Sequence, residues 1–201
     1  MSNLMPLIIE HLLIVLIAAS ISVIIGVGLG ILSYWVRYLD KAILWTAEII
    51  QTIPNLALLA MLMILFGLGN ITIVAALVLY ALLPIVRNTY IGLKSVPIYL
   101  KDAAKGMGMS KLQRLLKVEM PLSFPLIFSG IKIAVVNSLS IAVMGVLIGA
   151  GGLGYPIYRG IQTNSMERIL TGAIPVVLMA LLMDYVMTKV EKRLVHKGNV
   201  N

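Results

Sequence analysis

From Leu12 to Trp35 the chain carries no Asp, Glu, Lys or Arg. A run of that length exceeds the roughly 20 apolar residues needed to cross a bilayer as a helix. In lipid every backbone N–H and C=O must find a partner within the protein, which leaves helices and closed barrels as the only solutions. Comparable runs recur at Ile43–Phe66, Ile71–Ile91, Leu122–Ile148 and Ile169–Thr188. Five apolar segments of helical length predict an all-α integral membrane protein, residues 1–201 forming one transmembrane domain. The composition agrees. Hydrophobic residues make up 60% and charged residues 12%, against about 25% charged in soluble domains. No Lys or Arg precedes Arg37, so the first run lacks the basic flank of a cleavable signal and reads as a span that stays. With no cysteine, thiol chemistry is excluded.

Punctuation within the spans is informative. Gly26 and Gly30 form a G-x-x-x-G that lets another helix approach closely, either within this chain or across a dimer. Pro54 predicts a kink in the second span and Pro84 an interruption in the third. The turn Gly67–Asn70 joins the two, and a Gly-rich connection follows the fourth.

Charge gives the expected orientation. With the central loop inside, twelve of the 16 basic residues fall on that side: Arg37, Lys41, Lys94, Lys101, Lys105, Lys111, Arg114, Lys117, Lys189, Lys192, Arg193 and Lys197. Only Arg159 and Arg168 fall outside, and Arg87 and Lys132 lie within spans. The positive-inside rule then puts the N-terminus out and the C-terminus in the cytoplasm. Glu48, Arg87, Lys132 and Asp184 sit within the apolar runs, where an ionisable group is either functional or paired and snorkelling at the inner leaflet.

Enzymatic signatures are missing. There is no phosphate-cradling G-x-x-x-x-G-K-[ST]. The stretch GAGGLG at Gly149–Gly154 matches G-x-G-x-x-G by letter only, because a membrane span precedes it instead of a strand. His11 and His196 are expected on opposite sides of the membrane and share no site. The +8 formal charge reflects loop asymmetry and not nucleic-acid binding.

The segment KDAAKGMGMSKLQRLLKVEMP, Lys101–Pro121, is the longest polar stretch. Leu112, Leu115, Leu116 and Met120 recur at helical spacing with Lys111, Arg114 and Lys117 on other faces, which predicts an amphipathic helix. By pattern alone it could lie on anionic lipid. Its spacing is more specific. Asp102-Ala103-Ala104, three residues, Gly108, nine residues, Val118, one residue, Met120-Pro121 resembles the EAA loop of ABC-importer permeases: Glu-Ala-Ala, three residues, Gly, nine residues, Ile, one residue, Leu-Pro. Asp for Glu, Val for Ile and Met for Leu are the departures. QTIPNLALLAML from Gln51, ALLPIVRNTYIGL from Ala81 and IGAGGLG from Ile148 further resemble the permeases for glycine betaine, carnitine or choline. Methionine-type importers share the short five-span plan and a similar Gly-rich stretch.

The resemblance implies a type I importer-like fold in which the loop, about 94–121, is a cytoplasmic coupling helix. Asp102, Ala103, Ala104, Lys105, Gly108, Met109, Ser110 and Pro121 would then be its coupling residues, with Ala103 and Ala104 presenting a flat surface, Gly108 permitting a bend and Pro121 opening the return into the bilayer. It implies two ATP-binding subunits, which bind ATP and Mg, so that this chain needs no cofactor and is no enzyme. It implies a second permease subunit, identical or a sister chain, and an extracytoplasmic substrate-binding protein, separate or fused to a partner, in a bacterial cell membrane whose lipid surrounds the spans. Asn137, Ser138 and Ser140 are candidates for the translocation path, or for hydrogen bonds between helices. With aromatics at 6% and no aromatic box in the spans, tight recognition of a quaternary ammonium is expected in the binding protein. The competing reading, an ATP-independent carrier, would commonly show inverted repeats, and none is found.

Overall fold

The computed structural model describes residues 4–198, with side chains through residue 193, and these residues are helical with no strand. The helices are α1 (Leu4–Trp35), α2 (Asp40–Thr52), α3 (Asn55–Phe66), α4 (Asn70–Ser95), α5 (Ile98–Gly106), α6 (Lys111–Arg114), α7 (Met120–Ile141), α8 (Gly154–Gln162) and α9 (Met166–Gly198). A π-helical turn, Leu115–Glu119, joins α6 to α7, and α7 continues into a 3₁₀ segment, Ala142–Ile148. Four runs are long and apolar enough to cross a membrane: Leu4–Trp35, Asn70–Ser95, Lys111–Ile148 and Met166–Arg193. The α2–α3 pair makes a fifth when counted as one bent span.

Helix α4 is the centre of the bundle, packed against α1, α2, α3 and α7, with α9 on the far side of α7. Its Ile73, Leu77, Ile85 and Leu93 are fully enclosed. On α1 and α9, by contrast, Ile17, Ile24, Leu178 and Leu182 stand exposed, as expected for helices whose outer faces meet lipid and not water.

The second apolar run is not a single kinked helix. It breaks between α2 and α3 with a bend of 102°. Ile53 has ψ 128 and Pro54 ψ 136, both extended; a residue before proline is pushed from the α region by the pyrrolidine ring. Two consecutive extended residues turn the chain where one would only kink it. The hydroxyl of Tyr80 donates to the Ile53 carbonyl at 2.6 Å, satisfying an acceptor at the break. Pro84 has the opposite outcome: α4 passes through it unbroken, so the expected interruption is absent. Here α4 is packed against both α1 and α7, and Asn88 Nδ2 donates to the Pro84 carbonyl at 2.8 Å.

The G-x-x-x-G of α1 serves packing within the chain. A Cβ at Gly26 would stand 2.9 Å from Ile85 Cβ, and one at Gly30 would stand 2.5 Å from Thr89 Cβ. Both neighbours lie on α4, so α1 rests on α4 backbone to side chain. Gly28, between them, has open space. Gly30→Leu is therefore expected to cost about 1–3 kcal/mol through overpacking, while Gly28→Leu stays close to wild type. Thermal unfolding of the two variants in detergent measures the difference, and equal midpoints would contradict this packing.

The first helix begins at Leu4, a turn or more before the expected start, because Glu10 and His11 are accommodated inside. His11 is fully buried with Nε2 3.0 Å from the Leu139 carbonyl, and the Glu10 carboxylate accepts from the Gly152 N–H at 3.0 Å. The Gly-rich stretch is thus a turn that fastens α1; its partner on α4 is Asn70, which accepts from Gly151 at 3.1 Å. Helix α8, which had no sequence expectation, packs on α9 just beyond this turn. His196 and Lys197 lie outside the residues whose side chains are described.

Candidate functional site

The loop after α4 is two short helices hinged at a glycine. Gly108 has φ +79, with the Gly108 N–H donating to Lys105 O at 3.0 Å and the Met109 N–H to Ala104 O at 3.1 Å. This paired arrangement ends a helix on a left-handed residue, a conformation that suits glycine. Ser110 then opens α6 with a capping box: its Oγ accepts from the Gln113 N–H at 3.2 Å, and Gln113 Oε1 accepts from the Ser110 N–H at 2.9 Å. The S-x-x-Q spelling of that box is legible in sequence.

Asp102, Ala103 and Lys105 face outward on α5, whereas Ala104 is buried against its own chain. The two alanines are therefore not equivalent, and one surface position, Ala103, remains of the expected flat pair. Gly108 and Ser110 are exposed at the hinge and Met109 is half-buried. Pro121 does not start a separate helix; it sits in the first turn of α7 within one continuous helical run. Lacking an N–H, it cannot continue the regular ladder, and the π-helical turn immediately before it absorbs the mismatch, with Met120 N–H donating to Leu115 O. The turn carries Leu115 inward and leaves Leu112 and Leu116 exposed, so the expected apolar face is split.

A charge cluster locks this loop to the spans. Glu119 is 1% exposed and accepts from Arg114 Nε at 2.6 Å; its second oxygen has no hydrogen-bond partner among the described residues. Lys101 Nζ donates to the Tyr34 hydroxyl at 3.0 Å and to the Leu93 carbonyl at 2.9 Å. Burial pushes the Lys101 ammonium below its ordinary pKa, and the nearby Glu119 carboxylate pulls it back up. The buried carboxylate holds Arg114 of α6, while Lys101 of α5 lies near enough to feel its charge and itself bonds Tyr34 at the C-terminal end of α1. Sequence reasoning passed over Glu119, which occupies the free spacer between Val118 and Met120.

A second feature lies at the α2–α3 break. A cavity of about 100 Å³ opens there between α2, α3, α4 and α7. Its polar wall is Gln51, Asn55, Tyr80, Asn137 and Ser138. Two of the three expected path residues therefore meet here. Ser138 is buried and its hydroxyl donates to Ala134 O at 2.8 Å, leaving Asn137 the freer of the two. Ser140 is exposed and does not line this cavity. Gln51 and Asn55 were not foreseen, because the right-angle turn at Pro54 is what brings them beside α7.

The span charges are mostly paired. Arg87 bonds Glu48 across α4 and α2, and Lys132 Nζ reaches Glu191 at 2.8 Å across α7 and α9. Asp184 is exposed and makes no ion pair among the described residues.

Known proteins share this architecture and sequence. Solved structures of the MetNI methionine ABC transporter in inward-facing conformations superpose with a TM-score of 0.86 at 21% identity, covering 96% of this chain and 99% of that one. An amino acid ABC transporter with histidines gives a TM-score of 0.77 at 18% identity, covering 94% of each. In sequence, the osmoprotectant import permease protein OsmW of Salmonella typhimurium is 38% identical over 94% of this chain and 90% of its own length. The glycine betaine/carnitine/choline transport system permease protein OpuCD of Bacillus subtilis is 43% identical over 92% of this chain and 81% of its own. Residues 22–196 match the family described as binding-protein-dependent transport system inner membrane component. The chain is therefore a multi-pass membrane permease subunit of the ABC-importer kind, and it belongs to the binding-protein-dependent transport system inner membrane components.

Proposed function

We propose that this subunit forms, with a second permease, the path through which small quaternary-ammonium osmoprotectants such as glycine betaine, carnitine and choline enter the cell. The substrate class follows from the relatives at 37–43% identity, which carry those names over most of the chain. The single observation that carries the mechanism is the α5–α6 hairpin, a rigid lever projecting from the basic end of the bundle and anchored to the end of α1. Asp102, Ala103 and Lys105 on its outer face would meet an ATP-binding subunit, aided by the exposed Tyr99, Met107 and Leu112. Ala104, Gly108, Met109, Ser110 and Pro121 would hold its shape.

In this reading the hairpin is cytoplasmic and the N-terminus lies outside, as charge asymmetry requires. Two ATP-binding subunits bind ATP and Mg and move the hairpins, and the hairpins carry the spans between outward and inward states. The cavity at Gln51, Asn55, Tyr80 and Asn137 faces the path. A single tyrosine lines it, far short of the aromatic cage that holds a quaternary ammonium tightly, so selection belongs to an external binding protein, separate or fused to a partner.

The test is reconstitution in liposomes with the ATP-binding and substrate-binding partners, following ATP hydrolysis and solute uptake together. Glycine betaine or choline should stimulate both, and methionine neither. Uptake that persists without the ATPase would sink the reading in favour of a carrier. Sub-micromolar betaine binding to the isolated permease would contradict the division of labour between subunits.

A further inference from the structure

The Glu48–Arg87 pair differs from the other two ion pairs in what surrounds it. Glu48 is three residues before Gln51 on α2, and Arg87 is three residues after Pro84 on α4. Residues so spaced share a helix face, and Gln51 and Pro84 both line the polar cavity. The two charges do not line the cavity themselves; they stand about one turn from it, on the same helix faces as Gln51 and Pro84. Their side chains are 39% and 50% exposed, whereas Lys132 and Glu191 are 20% and 22% exposed and Glu119 is buried. An ion pair this exposed contributes little to fastening α2 on α4. Held half-open beside a polar cavity in membrane-spanning helices, it offers a solute two opposite charges.

We propose that Glu48 and Arg87 form a binding site within the path for zwitterions that bear a quaternary ammonium and a carboxylate. The cargo enters by ion-pair exchange: Glu48 takes the ammonium and the Arg87 fork takes the carboxylate. This deepens the import function proposed above and rests on it. The chemistry fits each group. A quaternary ammonium has no N–H to donate, so it is held by negative charge or an aromatic face, and one tyrosine is available here. A guanidinium matches a carboxylate with two parallel hydrogen bonds. Because the cargo must displace an existing pair, binding is weak, and when the cargo leaves the pair re-forms with neither charge left bare. That is the behaviour a path needs and a high-affinity receptor avoids.

The experiment uses the whole transporter in proteoliposomes, with Glu48→Gln, Arg87→Gln and the double variant, and two cargoes. Glycine betaine is the zwitterion; choline has the same ammonium and no carboxylate. Arg87→Gln should lower betaine uptake about tenfold, the scale of one charge-assisted contact, while leaving choline within about twofold. Glu48→Gln should lower both, and the double variant should be no better than the worse single for betaine. A purely structural pair behaves otherwise. Removing both charges leaves no unpaired ion, so the double variant would recover toward wild type and Arg87→Gln would lower both cargoes equally; either result overturns the proposal. If the wild type carries only betaine, the double variant alone decides. Should the wild type carry neither cargo, the substrate reading fails first, and this site fails with it.

Discussion

Glu119→Ala is expected to destabilise the subunit by about 2–4 kcal/mol and to disconnect ATP hydrolysis from transport. Breaking a buried ion pair by removing one partner costs about 3–5 kcal/mol, because the other charge is left uncompensated. The lower figure here reflects Arg114, whose side chain is 26% exposed and can turn toward water. Lys101 has less freedom, tied between Tyr34 and the Leu93 carbonyl. With the carboxylate gone, Arg114 and Lys101 repel across a partly dry space. Arg114→Ala should therefore cost less than Glu119→Ala, and adding Lys101→Met to Glu119→Ala should restore part of the loss. Thermal midpoints of the three variants in detergent, read beside substrate-stimulated ATPase, make the comparison. A Glu119→Ala midpoint indistinguishable from wild type would mean that the carboxylate anchors nothing.

Gly108→Asp should abolish substrate-stimulated ATP hydrolysis and uptake while the protein still inserts. At φ +79 an L-residue meets a penalty of roughly 1–2 kcal/mol, enough to shift or fray a hinge held by two backbone hydrogen bonds. Nothing lies within 4 Å of a Cβ at this position, so the effect is conformational and local to the exposed hairpin, not a failure of the core. Asn and Asp tolerate the left-handed region better than other side chains, so Gly108→Asn should retain more activity than Gly108→Ala, and Gly108→Asp should lose more than Gly108→Asn because of the charge it adds to the hinge. Complex assembly by pull-down with the ATP-binding subunit, together with uptake, reads the outcome. Full activity in Gly108→Ala would show that the hinge geometry is dispensable.

The two variants act on one lever from opposite ends. Gly108 shapes the outer tip, whereas at its base Glu119 holds Arg114 of α6 and Lys101 ties α5 to Tyr34 of α1. The intervening capping box at Ser110 makes the second half rigid. In the proposed coupling role, motion imposed at Ala103 and Lys105 would reach the end of α1 through Lys101 and Tyr34.

Much of this was legible in the residues. A charge-free run as long as Leu12–Trp35 fits a membrane helix and exceeds a barrel strand, since lipid offers no partner to a bare amide. The Lys and Arg distribution names the basic end, and the spacing from Asp102 to Pro121 marks the loop to which the coupling role is proposed. Those features are local or compositional, so one sequence suffices to read them. What tertiary structure alone decided are the meetings of distant residues. Pro54 breaks its span at a right angle and Pro84 does not: α4 is packed between α1 and α7, while two consecutive extended residues, Ile53 and Pro54, form the α2–α3 joint. Gly26 and Gly30 fit a dimer face or an internal one equally well until Ile85 and Thr89 are seen against them. Glu119 resembles a spacer until burial puts Arg114, Lys101 and Tyr34 around it, and Glu48 and Arg87 become a pair only when α2 crosses α4. Helix periodicity assigns each residue to a face; which face meets which is settled by packing, and in this protein the charges that matter most are defined by that packing.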